Sequence, residues 1–212
     1  KMGKSALVLG ATGVVGRELA RELCESPDYD EVEAWVRREI GFCHPKLRAR
    51  IIDFEGISDI APHKFDEIFC ALGTTMKQAG SREAFLRVDV DYVYAAAKWG
   101  KAADARRFVL VSSPGASEGS PSFYLRAKGR IERRVSELGF DSLQIVRPPI
   151  ILGERLDARP LERLAAAVFK LLPACVLGKF RPLSGASIAR AMINAASSDA
   201  CGVQIYEQRE FL

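Results

Sequence analysis

Residues 10–16 read Gly-Ala-Thr-Gly-Val-Val-Gly and directly follow the apolar run Ala6–Leu9. The apolar run predicts a buried strand, and the segment after the glycines has the period of an amphipathic helix. A strand, a glycine-rich turn and a helix in this order place the helix N-terminus beside the end of the strand. The unpaired N–H groups and the partial positive charge of that terminus favour an anion such as a phosphate.

The three glycines of this stretch have distinct expected roles. Gly10 permits the sharp exit from the strand, Gly13 lets the backbone approach a pyrophosphate, and Gly16 lets the helix pack closely on the strand. Their spacing is G-x-x-G-x-x-G, whereas the more familiar dinucleotide motif is G-x-G-x-x-G. We therefore expect the phosphates of a dinucleotide at Gly10, Thr12, Gly13, Val14, Val15 and Gly16.

The composition limits the class of protein. A chain of 212 residues, 48% hydrophobic and 27% charged, has the length and composition of one soluble globular domain. The net charge of +4 is too small to indicate a nucleic-acid partner, and no apolar run approaches the roughly 18 residues of a membrane helix. The five scattered cysteines favour reduced thiols over disulfides or a metal site. With no secretory signal before the first strand, we expect a cytoplasmic protein.

Apolar, β-branched runs alternate with segments of helical period, which predicts right-handed βαβ crossovers and a parallel sheet. The predicted strands are Ala6–Leu9, Val32–Val36, Arg50–Asp53, Glu67–Leu72, Arg107–Ser112, Ser142–Val146 and Gly202–Tyr206. The predicted helices are Val14–Glu25, Arg82–Trp99, Tyr124–Leu138, Leu161–Leu171 and Ser187–Ala196. The predicted fold is α/β, a Rossmann-like doubly wound parallel sheet with helices on both faces. We expect a single domain, 1–212, in which residues 153–200 form a small C-terminal cap on the substrate side.

Ligands of such sheets bind beyond the carboxyl ends of the strands. Arg37 and Arg38 follow the second predicted strand, where NAD-binding proteins usually carry an acid for the ribose 2′-hydroxyl. Guanidinium groups suit the 2′-phosphate of NADP instead, through forked, charge-assisted hydrogen bonds. The alternative interpretation is a pair of surface arginines at a strand end.

Other strand ends carry further candidate cofactor contacts. Asp53 follows the third strand, where its carboxylate either accepts a hydrogen bond from the adenine amino group or caps the loop. Leu72, Gly73 and Thr74 follow the fourth strand, where small residues either line the adenosine or form a plain turn. Pro148 follows the sixth strand, at a rigid exit that we expect to flank the nicotinamide.

The fifth predicted strand ends at Ser112 and Ser113, and Tyr124 and Lys128 follow at the start of the next helix. Residues four apart project from one helical face, and a lysine ammonium beside a phenol lowers the phenol pKa from about 10 towards working pH. Such a tyrosine can donate a proton to a carbonyl oxygen while hydride moves from a nicotinamide. We expect Lys128 to hold the nicotinamide ribose and one of the serines to bind the substrate oxygen.

Several strings of residues together resemble the short-chain dehydrogenase/reductase superfamily. They more closely resemble its atypical branch related to the Tat-interacting oxidoreductase, with the NmrA-like proteins as cousins. The strings are Leu9–Gly16, Leu72–Thr75, Val88–Tyr92, Ser112–Ala116, Phe123–Gly129, Phe140–Asp141 and Arg147–Pro149. The resemblance runs from about Leu7 to Arg159, and its narrowest strings are Leu72–Thr75 and Phe123–Gly129.

The resemblance implies an NADPH-binding Rossmann domain. The 2′-phosphate-binding arginines of the family correspond to Arg37 and Arg38, and its acid/base pair corresponds to Tyr124 and Lys128. The remaining cofactor contacts that it implies are Leu72, Gly73, Ile151 and Arg159.

Two functions remain open at this level, and a third is disfavoured. The first is reduction of a small or medium carbonyl compound, with NADPH preferred over NADH. The second is NADP(H)-dependent regulation or redox sensing through a protein partner, without significant turnover. Retention of Tyr124 and Lys128 favours the enzyme. A nucleotide-sugar or isomerase activity is disfavoured because the segment after the sixth strand is short. Either a monomer or a homodimer is compatible with the sequence, with Trp99 at a dimer face or in the core.

Overall fold

The computed structural model describes residues 3–149, 151–152 and 183–207. The strands of its main sheet are β1 (Lys4–Leu9), β2 (Tyr29–Val36), β3 (Leu47–Ile51), β4 (Glu67–Cys70), β5 (Arg107–Val111), β6 (Ser142–Val146) and β9 (Gly202–Tyr206). A separate parallel pair joins β7 (Ile151–Leu152) to β8 (Leu183–Ser184). The main sheet has the order β3-β2-β1-β4-β5-β6-β9, and every neighbouring pair is parallel. The predicted doubly wound parallel sheet is confirmed.

Helices cover both faces of this sheet. They are α1 (Val14–Glu25), α2 (Met76–Ala79), α3 (Arg82–Leu86), α4 (Val93–Ala102), α5 (Phe123–Ser136) and α6 (Gly185–Ser197). A 3₁₀ turn spans Phe54–Asp59, and a π-helical segment spans Arg87–Tyr92. One face of the sheet packs against α1 and α6, and the other against α4 and α5. Within the described ranges, no helix combines the length and the apolar character needed to span a membrane.

The alternation of side chains along β1 explains why its sequence is continuously apolar. Ala6 and Val8 lie in the core beneath α1 and α6, whereas Leu7 and Leu9 lie in the core beneath α4 and α5. All four residues are fully buried. A parallel strand with both faces covered by helices has no solvent-facing positions, so its sequence shows no polar alternation.

Several predicted elements have ends that differ from the observed ones by a few residues, and two of the differences are informative. The third strand is Leu47–Ile51 rather than Arg50–Asp53, and four of its five residues are exposed. This edge strand therefore lacks the apolar pattern by which strands are recognised. The helix predicted for Arg82–Trp99 is helical without a break from Arg82 to Ala102, but its segment Arg87–Tyr92 is π-helical and carries the buried acid Asp89. Such segments contain a wider turn than an α-helix and are frequent at functional sites.

Of the predicted cap, residues 153–200, the structure describes residues 183–200. Helix α6 lies against α1 and against β5 and β6, within the main layers of the fold. Gly185 approaches α1 so closely that a Cβ atom there would lie 2.6 Å from the carbonyl oxygen of Val14. The rest of the predicted cap, including the predicted helix Leu161–Leu171, lies outside the described residues.

Trp99 is a core residue. Its side chain is buried, its ring meets Trp35 in a T-shaped contact with centroids 4.5 Å apart, and its indole N–H donates to the carbonyl oxygen of Ile60 at 2.8 Å. Of the two positions expected for this residue, the structure therefore supports the core and not a dimer face.

A buried polar cluster joins the strands at the end of the sheet where β4 begins. Glu67 accepts hydrogen bonds from Lys4 at 3.0 Å, from Arg107 at 2.9 Å and from the hydroxyl of Tyr29. Arg107 also donates to two carbonyl oxygens at the end of α6. Burial, followed by the charge and the hydrogen bond of Glu67, raises the pKa of Tyr29 above its ordinary value. Because this cluster lies at the amino ends of the strands, it stabilises the fold and does not belong to the ligand-binding edge.

Candidate active site

A cleft of about 580 Å³ opens at the carboxyl ends of β1, β2 and β4. Eight of the predicted cofactor-binding residues line it: Gly10, Thr12, Gly13, Arg37, Arg38, Leu72, Gly73 and Thr74. The cleft is also lined by residues that are not among the predicted cofactor contacts: Trp35, Val36, Phe54, Ala71, Gln78, Ala79, Ala84, Val88 and Tyr92. The sheet topology thus brings three separate strand ends to one binding surface.

The glycine turn has the geometry of an anion site. Gly10 has φ +86°, and a Cβ atom at this position would lie 2.5 Å from the carbonyl oxygen of Ala71. Gly13 is the N-cap of α1, no side chain caps this end, and the first turn carries no acidic residue. The first-turn N–H groups therefore face the cleft without a side-chain acceptor, as a bound diphosphate requires. The residues present fit a dinucleotide in this cleft.

The other predicted phosphate contacts support the turn from behind. A Cβ atom on Gly16 would overlap the carbonyl oxygen of Gly10, so this glycine lets α1 pack on the turn. Val15 is buried in the core between the sheet and α1. Val14 is half-buried in the first turn of α1 and lies close to Gly185. None of these three residues belongs to the described lining of the cleft, so the group that each of them could offer a phosphate is its backbone N–H.

Arg37 and Arg38 extend from the end of β2 into the lining of the cleft, and both side chains are exposed. In the part of the chain that the structure describes, no carboxylate lies within ion-pairing distance of either guanidinium group. Both cations are therefore available for an anionic ligand group at this edge of the cleft.

Aromatic residues form the wall beside these arginines. The rings of Phe54 and Tyr92 lie with centroids 5.6 Å apart, and the Tyr92 hydroxyl donates to Glu55 Oε1 at 2.7 Å. Burial and the hydrogen bond to Glu55 raise the pKa of Tyr92. Asp53 does not line this wall; its Oδ1 accepts a hydrogen bond from the Glu55 N–H at 3.0 Å and caps the 3₁₀ turn. The loop cap is thus observed at Asp53, and the adenine contact stays a prediction.

The loop after β4 connects the cleft to a buried ion pair. Leu72, Gly73 and Thr74 line the cleft, and the Thr74 N–H donates to Asp89 Oδ2 at 2.8 Å. A Cβ atom on Gly73 would lie 3.4 Å from Asp89 Oδ1 and 3.9 Å from Lys128 Nζ. The absence of a side chain at Gly73 thus leaves the acid and the lysine directly beneath the cleft.

Lys128 is held by this acid. Its Nζ lies 2.8 Å from Asp89 Oδ1, and the two residues are 5% and 1% exposed. Burial disfavours the charged lysine, but the Asp89 carboxylate, Tyr124 and the hydrogen bond to Asp89 together raise the pKa of Lys128 above its ordinary value. Lys128 therefore remains an ammonium ion, and its charge is already balanced by a carboxylate.

Tyr124 and Lys128 share one face of α5, as their spacing predicts. Lys128 Nζ lies 5.9 Å from the centroid of the Tyr124 ring, and the tyrosine is 37% exposed. The ring packs at 5.8 Å from that of Phe85, which fixes one side of the phenol. Neither Tyr124 nor Lys128 belongs to the described lining of the cleft, although Lys128 lies directly behind Gly73.

The two candidate serines have different environments. Ser112 is 5% exposed, and its Oγ has no hydrogen-bond partner among the described residues. Ser113 is half-buried, and its Oγ lies 3.5 Å from the carbonyl oxygen of Pro114. Ser112 is therefore the serine with an unused buried hydroxyl close to the end of β5.

The last predicted contacts follow β6. Pro148 is buried and does not belong to the lining of the described cleft. Ile151 lies in β7, and Arg159 lies outside the described residues.

The loop after β5 is held against α5 at Gly129, where a Cβ atom would lie 2.5 Å from the Glu118 nitrogen.

Asp89 is the main residue of this site that is not among the predicted site residues. It lies within Val88–Tyr92, one of the strings that carry the family resemblance. The available signal was its position: Phe85, Asp89 and Val93 recur four apart, so that a single acid interrupts an apolar helical face. A buried acid on such a face requires a partner.

Comparison with known proteins agrees with this geometry. A family model described as NAD(P)H-binding matches residues 10–166. Protein HTATIP2 of Rattus norvegicus is 36% identical over 216 residues, which cover 99% of this chain and 88% of the relative. Protein FMP52-1, mitochondrial, of Scheffersomyces stipitis is 35% identical over 219 residues, covering 97% and 96%. The crystal structure of a short chain dehydrogenase family protein from Francisella tularensis has a TM-score of 0.71 at 17% identity and covers 96% of each chain.

The names of the yeast relatives correct the expected location. FMP52 proteins of several yeasts are named as mitochondrial, which contradicts the expectation of a cytoplasmic protein. Scattered cysteines without a disulfide pattern indicate reduced thiols, but they do not distinguish one reducing compartment from another. The structural match shows a shared fold, whereas the relatives match nearly the whole chain above 30% identity. The chain therefore belongs to the NAD(P)H-binding family, together with the HTATIP2 and FMP52 proteins, and the resemblance to the Tat-interacting branch of short-chain dehydrogenases/reductases is confirmed.

Proposed function

We propose that the protein reduces a small or medium carbonyl compound with NADPH, and that Tyr124 donates the proton. The observation that carries this proposal is the position of Tyr124, half-exposed on α5 with its ring centroid 5.9 Å from Lys128 Nζ. Lys128 lies behind Gly73 at the floor of the cleft. A proton donor, a fixed ammonium ion and a dinucleotide cleft are thus neighbours.

The preference for NADPH over NADH rests on Arg37 and Arg38. Both line the cleft at the end of β2, where the 2′-position of the adenosine ribose lies in folds of this kind. Their guanidinium groups form no ion pair with a described carboxylate, so a 2′-phosphate has two forked donors available. NADH lacks that phosphate, so the two arginines do not strengthen its binding.

Each residue has a separate role in the proposed reaction. A dinucleotide held in the cleft at Gly10, Gly13 and Gly73 would supply the hydride for the carbonyl carbon. Tyr124 donates its hydroxyl proton to the carbonyl oxygen, and the Lys128 ammonium stabilises the phenolate that remains. The Ser112 hydroxyl, which is buried without a described partner, is available to hydrogen-bond the substrate oxygen.

A second function, NADP(H)-dependent regulation through a protein partner, is supported by one observation. Lys128 is already paired with Asp89 at 2.8 Å, so its positive charge is partly neutralised before any phenolate forms. A site of this kind can bind the dinucleotide well and still assist proton transfer weakly. The two functions share the cofactor and differ in turnover.

The test is NADPH consumption, followed by absorbance across a panel of aldehydes, ketones and quinones. We compare the wild type, Tyr124→Phe and the matched control Tyr94→Phe, whose ring stacks on Arg134 away from the cleft. Turnover that is lost in Tyr124→Phe alone, with NADPH affinity retained, supports the reductase. Equal turnover in Tyr124→Phe and wild type contradicts it, and tight NADPH binding without turnover of any compound favours the regulator.

A further inference from the structure

Asp89 is the described residue that joins the cofactor cleft to Lys128. Its Oδ2 accepts a hydrogen bond from the Thr74 N–H, and its Oδ1 lies 2.8 Å from Lys128 Nζ. Thr74 lines the cleft, and Gly73 beside it leaves space for both charged groups immediately beneath the lining. One carboxylate therefore holds the loop after β4 with one oxygen and the lysine of α5 with the other.

The fold places Asp89 at this junction at a substantial energetic cost. An acid that is 1% exposed is stable only when it is paired and hydrogen-bonded. The helix adopts a π-helical segment at Arg87–Tyr92, which includes Asp89, and such segments are frequent at functional sites. The neighbouring Asp91 is 61% exposed on its side chain, and its ion-pair partner among the described residues is Arg134, at 3.6 Å. Two acids in one short segment thus have opposite environments.

We infer that Asp89 is a positioning residue for the cofactor: it keeps Lys128 charged and directed at the cleft floor, and it couples that lysine to the loop that lines the cleft. This inference rests on the cofactor binding in the proposed function and does not require turnover. Without the carboxylate, Lys128 would be a buried cation with no described counter-ion, in an environment that favours its neutral form. Tyr124 on α5 and Cys70 on β4 are the other titratable groups that face it in the described structure.

The substitution Asp89→Asn isolates the charge, because an amide oxygen can still accept from the Thr74 N–H. NADPH affinity is measured by titration for wild type, Asp89→Asn and the matched control Asp91→Asn between about pH 6.5 and about pH 9. We expect the affinity of Asp89→Asn relative to wild type to fall by about tenfold as the pH rises, because Lys128 loses its proton in the variant. The NADPH affinity of Asp91→Asn relative to wild type should stay constant over the same pH range.

A second pair of variants tests the route through Lys128 and covers the case in which Asp89→Asn folds poorly. Lys128→Met removes the buried charge, and the double variant Asp89→Asn/Lys128→Met leaves no charge in the pair. We expect the double variant to bind NADPH as Lys128→Met does, because Asp89 has no lysine left to position. Two results would overturn the inference. One is an equal loss of NADPH affinity when Asp89→Asn is introduced into the wild type and into Lys128→Met. The other is a ratio of Asp89→Asn affinity to wild-type affinity that does not change with pH. If the wild type fails to bind NADPH, the cofactor assignment itself is wrong.

Discussion

The Cα atom of Gly16 faces the carbonyl oxygen of Gly10 so closely that a side chain at position 16 would overlap it. Gly10 belongs to the turn at the end of β1, and Gly16 belongs to the first turns of α1. The contact between them sets how near the helix N-terminus lies to the strand end. It therefore determines the geometry of the anion site as well as the packing of α1.

Gly16→Ala should impair folding and cofactor binding together. The added methyl group must displace backbone atoms, and overpacking of this kind destabilises a protein by about 1–3 kcal/mol. We expect a lower midpoint of urea unfolding and weaker NADPH binding. Gly41→Ala is the matched control, because no atom lies within 4 Å of a Cβ there. Normal stability and binding in Gly16→Ala would contradict the role given to this contact.

Substitution of the arginines at the end of β2 should change cofactor selectivity. Loss of one charge-assisted hydrogen bond to a phosphate costs about 1.5–3 kcal/mol. We expect Arg37→Ala and Arg38→Ala each to weaken NADPH binding by roughly tenfold or more, and to leave NADH affinity unchanged. Arg48→Ala, on the exposed edge strand β3, is the control. Equal effects on NADPH and NADH would show that the arginines do not bind the 2′-phosphate.

Substitution of Ser112 and substitution of Ser113, the two serines after β5, should have different effects on stability and turnover. Ser112→Ala removes a buried hydroxyl that lacks a described partner, so we expect thermal stability to stay equal or to rise. If Ser112 binds the substrate oxygen, kcat/KM falls by about tenfold in the same variant. The comparison is Ser113→Ala, assayed under identical conditions. A larger loss of turnover in Ser113→Ala would assign the substrate contact to Ser113.

Tyr29→Phe should lower stability without changing the cleft. The substitution removes the hydroxyl that donates to the buried Glu67, at a cost of about 1–3 kcal/mol. The raised pKa of Tyr29 also predicts that the wild type loses stability as the pH rises above about 10, where the unfolded chain ionises first. This alkaline loss should be smaller in Tyr29→Phe, as measured by urea unfolding at several pH values. An unchanged pH dependence would contradict the contribution of Tyr29, and NADPH affinity serves as the control.

Much of the fold was predictable because its signals are local. The order of apolar runs and helical segments predicted the parallel sheet, and the glycine turn predicted the start of α1 at Val14. The predictions were incomplete where strand pairing or a contact with a residue distant in the sequence determines the structure. Strand β3 is positioned by β2 and not by its own exposed residues, and the helix predicted for Arg82–Trp99 contains a π-helical segment where Asp89 pairs with Lys128.

The candidate site was predictable in part for the same reason. The glycine turn and the arginines after β2 act through backbone geometry and strand position, and both line the cleft. Asp53 shows the limit of such local signals: the sequence permits an adenine contact or a loop cap, and the structure shows the cap, which Asp53 forms with the Glu55 N–H. Ser112 and Ser113 are chemically identical in the sequence, and only burial distinguishes them.

The amino-acid sequence by itself determined the doubly wound sheet, the helix N-terminus at Gly13 and the spacing that places Tyr124 and Lys128 on one face of α5. These properties follow from backbone conformation and helical or strand period, which depend on neighbouring residues. Tertiary structure alone decided that Lys128 pairs with Asp89 beneath Gly73. The two charged residues lie on different helical segments, and they meet because burial leaves each of them no solvent and no other counter-ion among the described residues.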